Sequence, residues 1–174
     1  MSPTFKIALL AAALASVPVS LTAKETHGTV VTAAASSQEH ATLVAALKAA
    51  GLVEALAGAG PFTVFAPTDA AFGKLPTGTV DTLLQPANLQ QLSSVLTYHV
   101  VPGNISASEL VAMIRDNGGR ATLTTVQGGT ITARLAEGGV EITDANGGTA
   151  RVTKADLMQS NGVIHVTDAV FLPR

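Results

Sequence analysis

The chain has 174 residues, with ten Lys and Arg against twelve Asp and Glu, a formal net charge of −2 and no cysteine. A near-neutral charge and an aromatic content of 3% argue against nucleic-acid binding, which needs a basic surface. The lack of cysteine excludes disulfide bonds and thiolate zinc sites. The length suits a single domain that is stabilised by its apolar core.

The first 23 residues have the layout of a secretory signal peptide. Lys6 precedes the uncharged run "IALLAAALASV", and small residues follow Pro18, so we expect cleavage after Ala23. The run is shorter than the roughly 20 apolar residues of a membrane span. Residues 24–35 are expected to form a short arm or a first strand, and residues 36–174 a single domain. The protein is therefore predicted to be secreted or periplasmic, with no stable membrane span.

Helix signals dominate residues 36–117. Ser36 and Glu39 have the spacing of a capping box. The apolar stripe that follows them at helical spacing is Leu43, Val44 and Leu47. A second stripe, after Pro86, is Leu89, Leu92, Val95 and Leu96. Ser106 and Glu109 form another capping box, which predicts a helix that ends at Asn117.

The stretch "GPFTVFAPTDAAF", residues 60–72, predicts a strand followed by a helix. Phe62–Phe65 has strand character, and Pro67 restricts the residue before it to extended geometry. Thr68 is a natural N-cap, and Asp69 in the first turn is favoured by the helix dipole. The pair therefore predicts a capped helix start.

Residues 119–173 have the period of strands. Ile131, Ala133 and Leu135 alternate with polar residues, and Gly-Gly pairs at 128–129, 138–139 and 147–148 mark turns. This pattern predicts a meander of antiparallel hairpins. Helices first and strands later indicate an α+β fold.

Three ordered motifs resemble the fasciclin (FAS1) domain. They are "TVFAPTDAAF" at 63–72, "LTYHVVPG" at 96–103 and "NGVIHVTDAVFLP" at 161–173, and the resemblance covers residues 36–173. It implies a wedge of two β-sheets flanked by α-helices. Thr167 stands where the family often has an aliphatic residue. The domain occurs once here, which weakens a multivalent adhesion hypothesis, because avidity needs linked modules.

The resemblance also implies a class of function. Members are exported or cell-surface proteins, many act in adhesion or matrix binding, and some bind partners around the Tyr-His motif. Certain members bind carotenoids or other apolar ligands. The sequence is therefore interpreted as an adhesion-type module that binds protein or glycan. The alternative is a carrier of an apolar small molecule such as a carotenoid.

Five residues are the candidate site, either as a partner surface or as a structural polar network: Thr68, Asp69, Tyr98, His99 and His165. If Tyr98 and His99 lie on a strand, their side chains point to opposite faces. His99 is expected within hydrogen-bonding reach of Thr68 and Asp69. His165 is expected on the face opposite Ile164 and Val166, in the core or at a sheet edge.

Catalysis, metal binding and cofactors are not predicted. No G-x-S-x-G elbow accompanies Ser93, Ser94 or the histidines. Nothing in the spacing of His99, His165 and Asp69 demands a metal. The apolar residues Phe62, Val64, Phe65 and Phe72, with Met113 and Ile114, are interpreted as core rather than as the lining of a ligand tunnel.

Overall fold

The computed structural model describes residues 28–58 and 60–174, so the predicted signal peptide lies outside the described residues and stays a prediction. The α-helices within these ranges are α1 (Val30–Ser36), α2 (Ala41–Ala49), α3 (Val53–Ala57), α4 (Asp69–Gly73), α5 (Thr79–Leu83), α6 (Leu89–Tyr98) and α7 (Ala107–Asp116). Single 3₁₀ turns occupy Gln38–His40 and Pro86–Asn88. No helix in the described ranges combines the length and apolar character needed to cross a lipid bilayer.

The strands follow the expected order along the chain. They are β1 (Phe62–Pro67), β2 (Val100–Pro102), β3 (Arg120–Thr124), β4 (Thr130–Ala136), β5 (Gly139–Thr143), β6 (Thr149–Gln159) and β7 (Gly162–Thr167). From β3 to β7, each strand pairs antiparallel with the next. The predicted meander and the α+β class are therefore confirmed.

The strands lie in the hydrogen-bonded order β2-β1-β7-β6-β5-β4-β3. The long strand β6 joins two halves of this sheet, because it pairs with β5 only over Thr149–Arg151 and with β7 over Val152–Gln159, with two register shifts. β1 pairs parallel with β7, so that Pro67 lies opposite Thr167. This pairing places the first and last motifs side by side.

β1 and β7 divide the core into two clusters, because side chains alternate across a strand. Val64, Ala66, Ile164 and Val166 face the cluster that α1, α2 and α6 cover. Phe65, on the other face of β1, belongs to the cluster covered by α7 and by β3 to β5. His165 stacks on Phe65, so it lies opposite Ile164 and Val166 as expected.

The expectations for residues 30–39 are wrong in two respects. Residues 30–36 are the helix α1 rather than an arm or a strand, with Thr29 as its N-cap. Tertiary packing overrides the strand preference of its two valines, because Val30, Val31 and Ala34 share one buried helix face. The N-cap before Glu39 is Ser37, since Ser36 is the last residue of α1 and its hydroxyl donates to the Thr32 carbonyl at 2.6 Å.

The cap at Ser106 is confirmed. The Glu109 amide donates to the Ser106 hydroxyl oxygen at 3.3 Å, and the Glu109 carboxylate accepts from the Ser106 amide at 2.7 Å. This reciprocal pair fixes the start of α7, which packs on β3 and β4.

Candidate functional site

Tyr98 and His99 end a helix, and the strand prediction for them is wrong. α6 runs to Tyr98 and His99 is its C-cap, because the stripe of Leu92, Val95 and Leu96 keeps its helical period. Neither side chain is exposed. Tyr98 is 1% exposed and His99 is 2% exposed.

Backbone groups occupy both ring nitrogens of His99. Nδ1 donates to the Val95 carbonyl at 2.7 Å, and Nε2 accepts from the Phe171 amide at 2.9 Å. This arrangement needs the neutral ring with its proton on Nδ1. Burial lowers the pKa of His99 to about 4, although the Val95 carbonyl and the charge of Asp144 oppose that shift.

The expected contact of His99 with Thr68 and Asp69 is absent from the hydrogen bonds of the described residues. The His99 carbonyl accepts from the Phe65 amide at 2.9 Å, while its ring turns toward Phe171. Thr68 is the N-cap of α4, as predicted, since its hydroxyl oxygen accepts from the Ala71 amide at 3.2 Å. The first motif therefore finds its polar partner elsewhere.

Asp69 connects α4 to the start of α2. Its Oδ1 accepts from the Thr42 amide at 2.8 Å. Burial acts to raise the pKa of Asp69, but the hydrogen bonds from Thr42, together with one from Ala41 and the nearby His40, hold it below the usual value. Asp69 is thus both a first-turn residue of α4 and an acceptor for a second helix.

Tyr98 connects α6 to the β3–β5 half of the sheet. Its hydroxyl donates to the Thr130 carbonyl at 2.7 Å and accepts from the Ala145 amide at 3.0 Å. Burial raises the pKa of Tyr98. The hydroxyl is therefore committed to the backbone inside the domain.

His165 is also held by the backbone. Nε2 donates to the Ile105 carbonyl at 2.8 Å, and Nδ1 accepts from the Asp156 amide at 3.4 Å. Its ring stacks on Phe65 with centroids 5.6 Å apart, and Phe65 meets Phe171 edge-on at 5.9 Å. The two histidines thus belong to one buried row of rings. Their nitrogens do not converge with Asp69 as metal ligands, and the described residues contain no cluster of three or more potential metal-ligating side chains.

The exposed surface around the first motif carries charges of both signs. Lys154 pairs with Glu39 at 3.1 Å and Lys74 pairs with Asp168 at 3.7 Å, and each of the four side chains is at least 40% exposed. Asp69, on α4, is half-buried and lies near His40. We call these five residues, Glu39, Asp69, Lys74, Lys154 and Asp168, the polar rim. Two of its members, Asp69 and Asp168, follow the adjacent ends of β1 and β7.

A buried histidine that sequence reasoning missed lies beneath the polar rim. His40 is 4% exposed, and its Nδ1 lies 2.9 Å from the Ser37 hydroxyl oxygen. Its Nε2 has no hydrogen-bond partner among the described residues. Burial lowers the pKa of His40, against the raising effects of Glu39, the Ala66 carbonyl and Asp69. Its position three residues after the capping serine, Ser37, was the available signal in the sequence.

His40 lines a cavity of about 70 Å³. The cavity lies between α1, the 3₁₀ turn at Gln38–His40 and the face of β6 and β7. Its walls include Ala33, Ile164 and Val166, and the rim residues Glu39 and Lys154 also line it. The polar rim and this cavity together form the candidate site.

Comparison with known proteins identifies the family. Residues 38–173 match the model of the fasciclin domain. The chain belongs to the fasciclin domain family, as its three motifs indicated.

Two relatives and one solved structure support this assignment. Protein sll1483 of Synechocystis sp. is 45% identical over 171 residues, which cover 98% of this chain and 88% of that protein. The cell surface glycolipoprotein MPB83 of Mycobacterium bovis is 35% identical over 149 residues, covering 83% of this chain and 60% of that protein. A FAS1 domain pair from the insect cell adhesion molecule Fasciclin I has the same fold, with a TM-score of 0.72 at 22% identity, over 83% of this chain and 50% of that one.

Proposed function

We propose that this protein is a non-enzymatic, exported binding module that contacts a protein or glycan partner at a cell surface or in a matrix through the polar rim. The observation that carries the proposal is the split of the motif residues. Tyr98, His99 and His165 are buried and hydrogen-bonded to backbone, whereas charged side chains next to these motifs are exposed, among them Lys74, just after the first motif, and Asp168 in the last one. The three buried motif residues stabilise the fold beneath the surface, and the polar rim contacts the partner.

The hydrogen bonds of the two motif histidines favour binding over catalysis. A general base must reach the proton that it abstracts. His99 and His165 each use both ring nitrogens for backbone groups, so neither has a free nitrogen for a serine hydroxyl. The relatives agree with an adhesion-type function, since one is named as a cell surface protein and another as a cell adhesion molecule.

The polar rim suits recognition by complementary charge. Its ion pairs are exposed and so contribute little to stability. Replacing them by ion pairs with a partner therefore costs little free energy. Charges at such a rim mainly set specificity and association rate. Binding is therefore expected to weaken as salt concentration rises.

The alternative function, a carrier of an apolar small molecule, has less support. Phe65 is 0% exposed, and Phe72 and Val64 are each 7% exposed, so these side chains pack inside the two core clusters. A carotenoid would need a long tunnel lined by such residues. An absorption spectrum and a native mass of the protein from its own source decide this point, because a chromophore or a bound mass would favour the carrier.

The binding proposal is tested by charge reversal. Fluorescently labelled protein is titrated onto the cells that produce it and onto their extracellular matrix. Lys154→Glu should reduce binding several-fold, whereas Lys48→Glu, an equal charge change on the exposed face of α2, should leave binding unchanged. Equal binding of both variants would refute a role for the rim, and no binding by the parent protein would refute the adhesion function.

A further inference from the structure

The cavity under the polar rim is too small for a whole metabolite. Its volume is about 70 Å³. A cavity of about 150 Å³ holds one benzene molecule, and one water molecule occupies about 30 Å³ in the liquid. The space therefore fits one group of roughly three or four heavy atoms, which is the size of a small side chain.

The exposed residues among its lining locate the mouth of the cavity. Glu39, Lys154 and Leu157 line it and are exposed, whereas His40, Ile164 and Val166 line it and are buried. The mouth therefore opens between the Glu39–Lys154 pair and the outer part of β6. Leu157 is 40% exposed, which provides apolar surface beside the opening.

The residues that line the cavity indicate which chemical group fills it. Ala33, Ala34, Ile164 and Val166 offer apolar contact, which favours a methyl group. His40 Nε2 is buried and makes no hydrogen bond of good geometry among the described residues, although the Ala66 carbonyl lies close enough to the ring to raise its pKa. Such a nitrogen is costly to bury unless a better-placed hydrogen bond forms there. Nε2 donates a hydrogen bond in one neutral tautomer of His40 and accepts one in the other. A group that can both donate and accept is therefore compatible with both tautomers. A hydroxyl has both capacities, and a neutral group also suits the paired charges at the mouth.

We propose that this cavity is a socket for one threonine-like side chain, a short branched aliphatic group with one hydroxyl, presented by a protein partner that docks on the polar rim. The methyl contacts the alanine and β7 walls, and the hydroxyl bonds to His40 Nε2. A buried anchor surrounded by exposed charges is the usual arrangement of a binding hot spot. The inference rests on the proposed function, of which it names the recognition element.

The test compares three capped amino acids that differ by one group each. N-acetyl-threonine N-methylamide is titrated into the ¹⁵N-labelled full chain, with the matched valine and serine derivatives as controls. The threonine probe should bind with a dissociation constant on the order of 10 mM and shift the His40 Nε2 signal. The valine probe should bind about tenfold more weakly, because it lacks the hydroxyl. The serine probe should also bind more weakly, because it lacks the methyl.

Variants of α1 place the binding in the cavity. Ala33→Leu fills the cavity from its wall without altering His40 and should abolish the shifts, whereas Ala35→Leu, an exposed residue of the same helix, should preserve them. His40→Phe keeps a ring but removes Nε2 and should abolish the preference for threonine over valine. Equal affinity of the threonine and valine probes, or shifts that persist in Ala33→Leu, would overturn the socket.

The same variants separate this inference from the proposed function. If Ala33→Leu still binds to cells as the parent does, while Lys154→Glu does not, the rim is a binding surface and the socket is not part of it. If the parent protein shows no cell or matrix binding but takes up the threonine probe selectively, the adhesion function fails and the cavity remains a hydroxyl-selective site. Loss of cell binding in Ala33→Leu alone among the α1 variants would support both.

Discussion

The Phe171 amide donates a hydrogen bond of 2.9 Å to His99 Nε2, and the two rings lie stacked with centroids 4.8 Å apart. The contact joins residues far apart in the sequence, the C-cap of α6 and the segment after β7. It needs a neutral His99, because a protonated ring cannot accept at Nε2. The anchoring of the C-terminal segment is therefore tied to the protonation of one buried ring.

Stability is expected to fall on mild acidification. The pKa of His99 is lowered from 6.5 to about 4, so the unfolded chain binds a proton that the folded chain excludes. The stabilising effect is complete above pH 6.5 and is lost as pH falls toward 4. Between pH 7.5 and pH 5, His99 alone should remove about 2 kcal/mol from the free energy of unfolding, measured by urea titration.

His99→Gln is the control for this pH dependence. Its neutral amide cannot titrate, so the fall in stability between pH 7.5 and pH 5 should shrink by most of that amount. The pKa of His40 is also lowered, mainly by burial, so a smaller fall in the same direction should remain. An identical fall in the variant and the parent would show that His99 is not responsible.

Tyr98→Phe should destabilise the domain by about 1–3 kcal/mol. The change removes the hydroxyl that donates to Thr130 and accepts from Ala145, so one carbonyl and one amide lose their partner. Ser94→Ala removes a hydroxyl that bonds to the Gln90 carbonyl within its own helix, and should change stability by less than about 0.5 kcal/mol. Denaturant midpoints at neutral pH compare the two. Equal midpoints would mean that the Tyr98 hydroxyl adds nothing to the fold.

Gly129→Ala should destabilise because there is no room for the new methyl group. A Cβ at Gly129 would lie 2.7 Å from Tyr98 Cε2, and that ring is buried and cannot move aside. Gly73, at the end of α4, has no atom within 4 Å of the same position. Gly73→Ala should therefore be neutral or stabilise by about 0.4–1 kcal/mol. Thermal melting of both variants checks this, and a neutral Gly129→Ala would be inconsistent with the packing of Tyr98.

Asp69→Ala should lower the free energy of unfolding by about 1 kcal/mol, and Asp69→Asn should lower it by less. Alanine leaves the Thr42 amide without its acceptor at the start of α2, whereas asparagine keeps an acceptor oxygen there. The pKa of Asp69 is lowered, so its charged form stabilises the fold above pH 3.8 and that effect disappears as pH falls further. Urea titration of both variants at pH 7 tests the order. Equal losses would point to the charge rather than the hydrogen bond.

Features that depend on neighbours in the sequence could be predicted. The caps at Thr68 and Ser106 and the hairpin turns at the Gly-Gly pairs are formed by residues a few positions apart. α1 was missed because its two valines favour a strand when considered alone. The strand assignment of Tyr98 and His99 is wrong for a related reason, because the two valines that follow them favour a strand that begins two residues too early.

Features that depend on distant residues could not be predicted. The parallel pairing of β1 with β7 leaves no periodic signal, and neither do the long-range contacts of Asp69 with Thr42 and of His99 with Phe171. The burial of His40 beside a cavity could not be predicted, because it depends on how α1 and β6 pack around this residue. The family resemblance correctly indicated the fold, but it placed attention on the Tyr-His motif, whose side chains are buried.

The position of β7 between β1 and β6 also determines when the domain can form. β7 is the last of the seven strands in the described residues, and it lies between the two core clusters. A chain that lacks residues 162–174 has no strand to join β1 to the meander. Its helices can then contribute little to the free energy of folding. Because the contacts between β1 and β7 span about 100 residues, we expect folding to be slow and to require β7. We therefore expect a chain truncated before β7 to be cut by proteases more readily than the full chain.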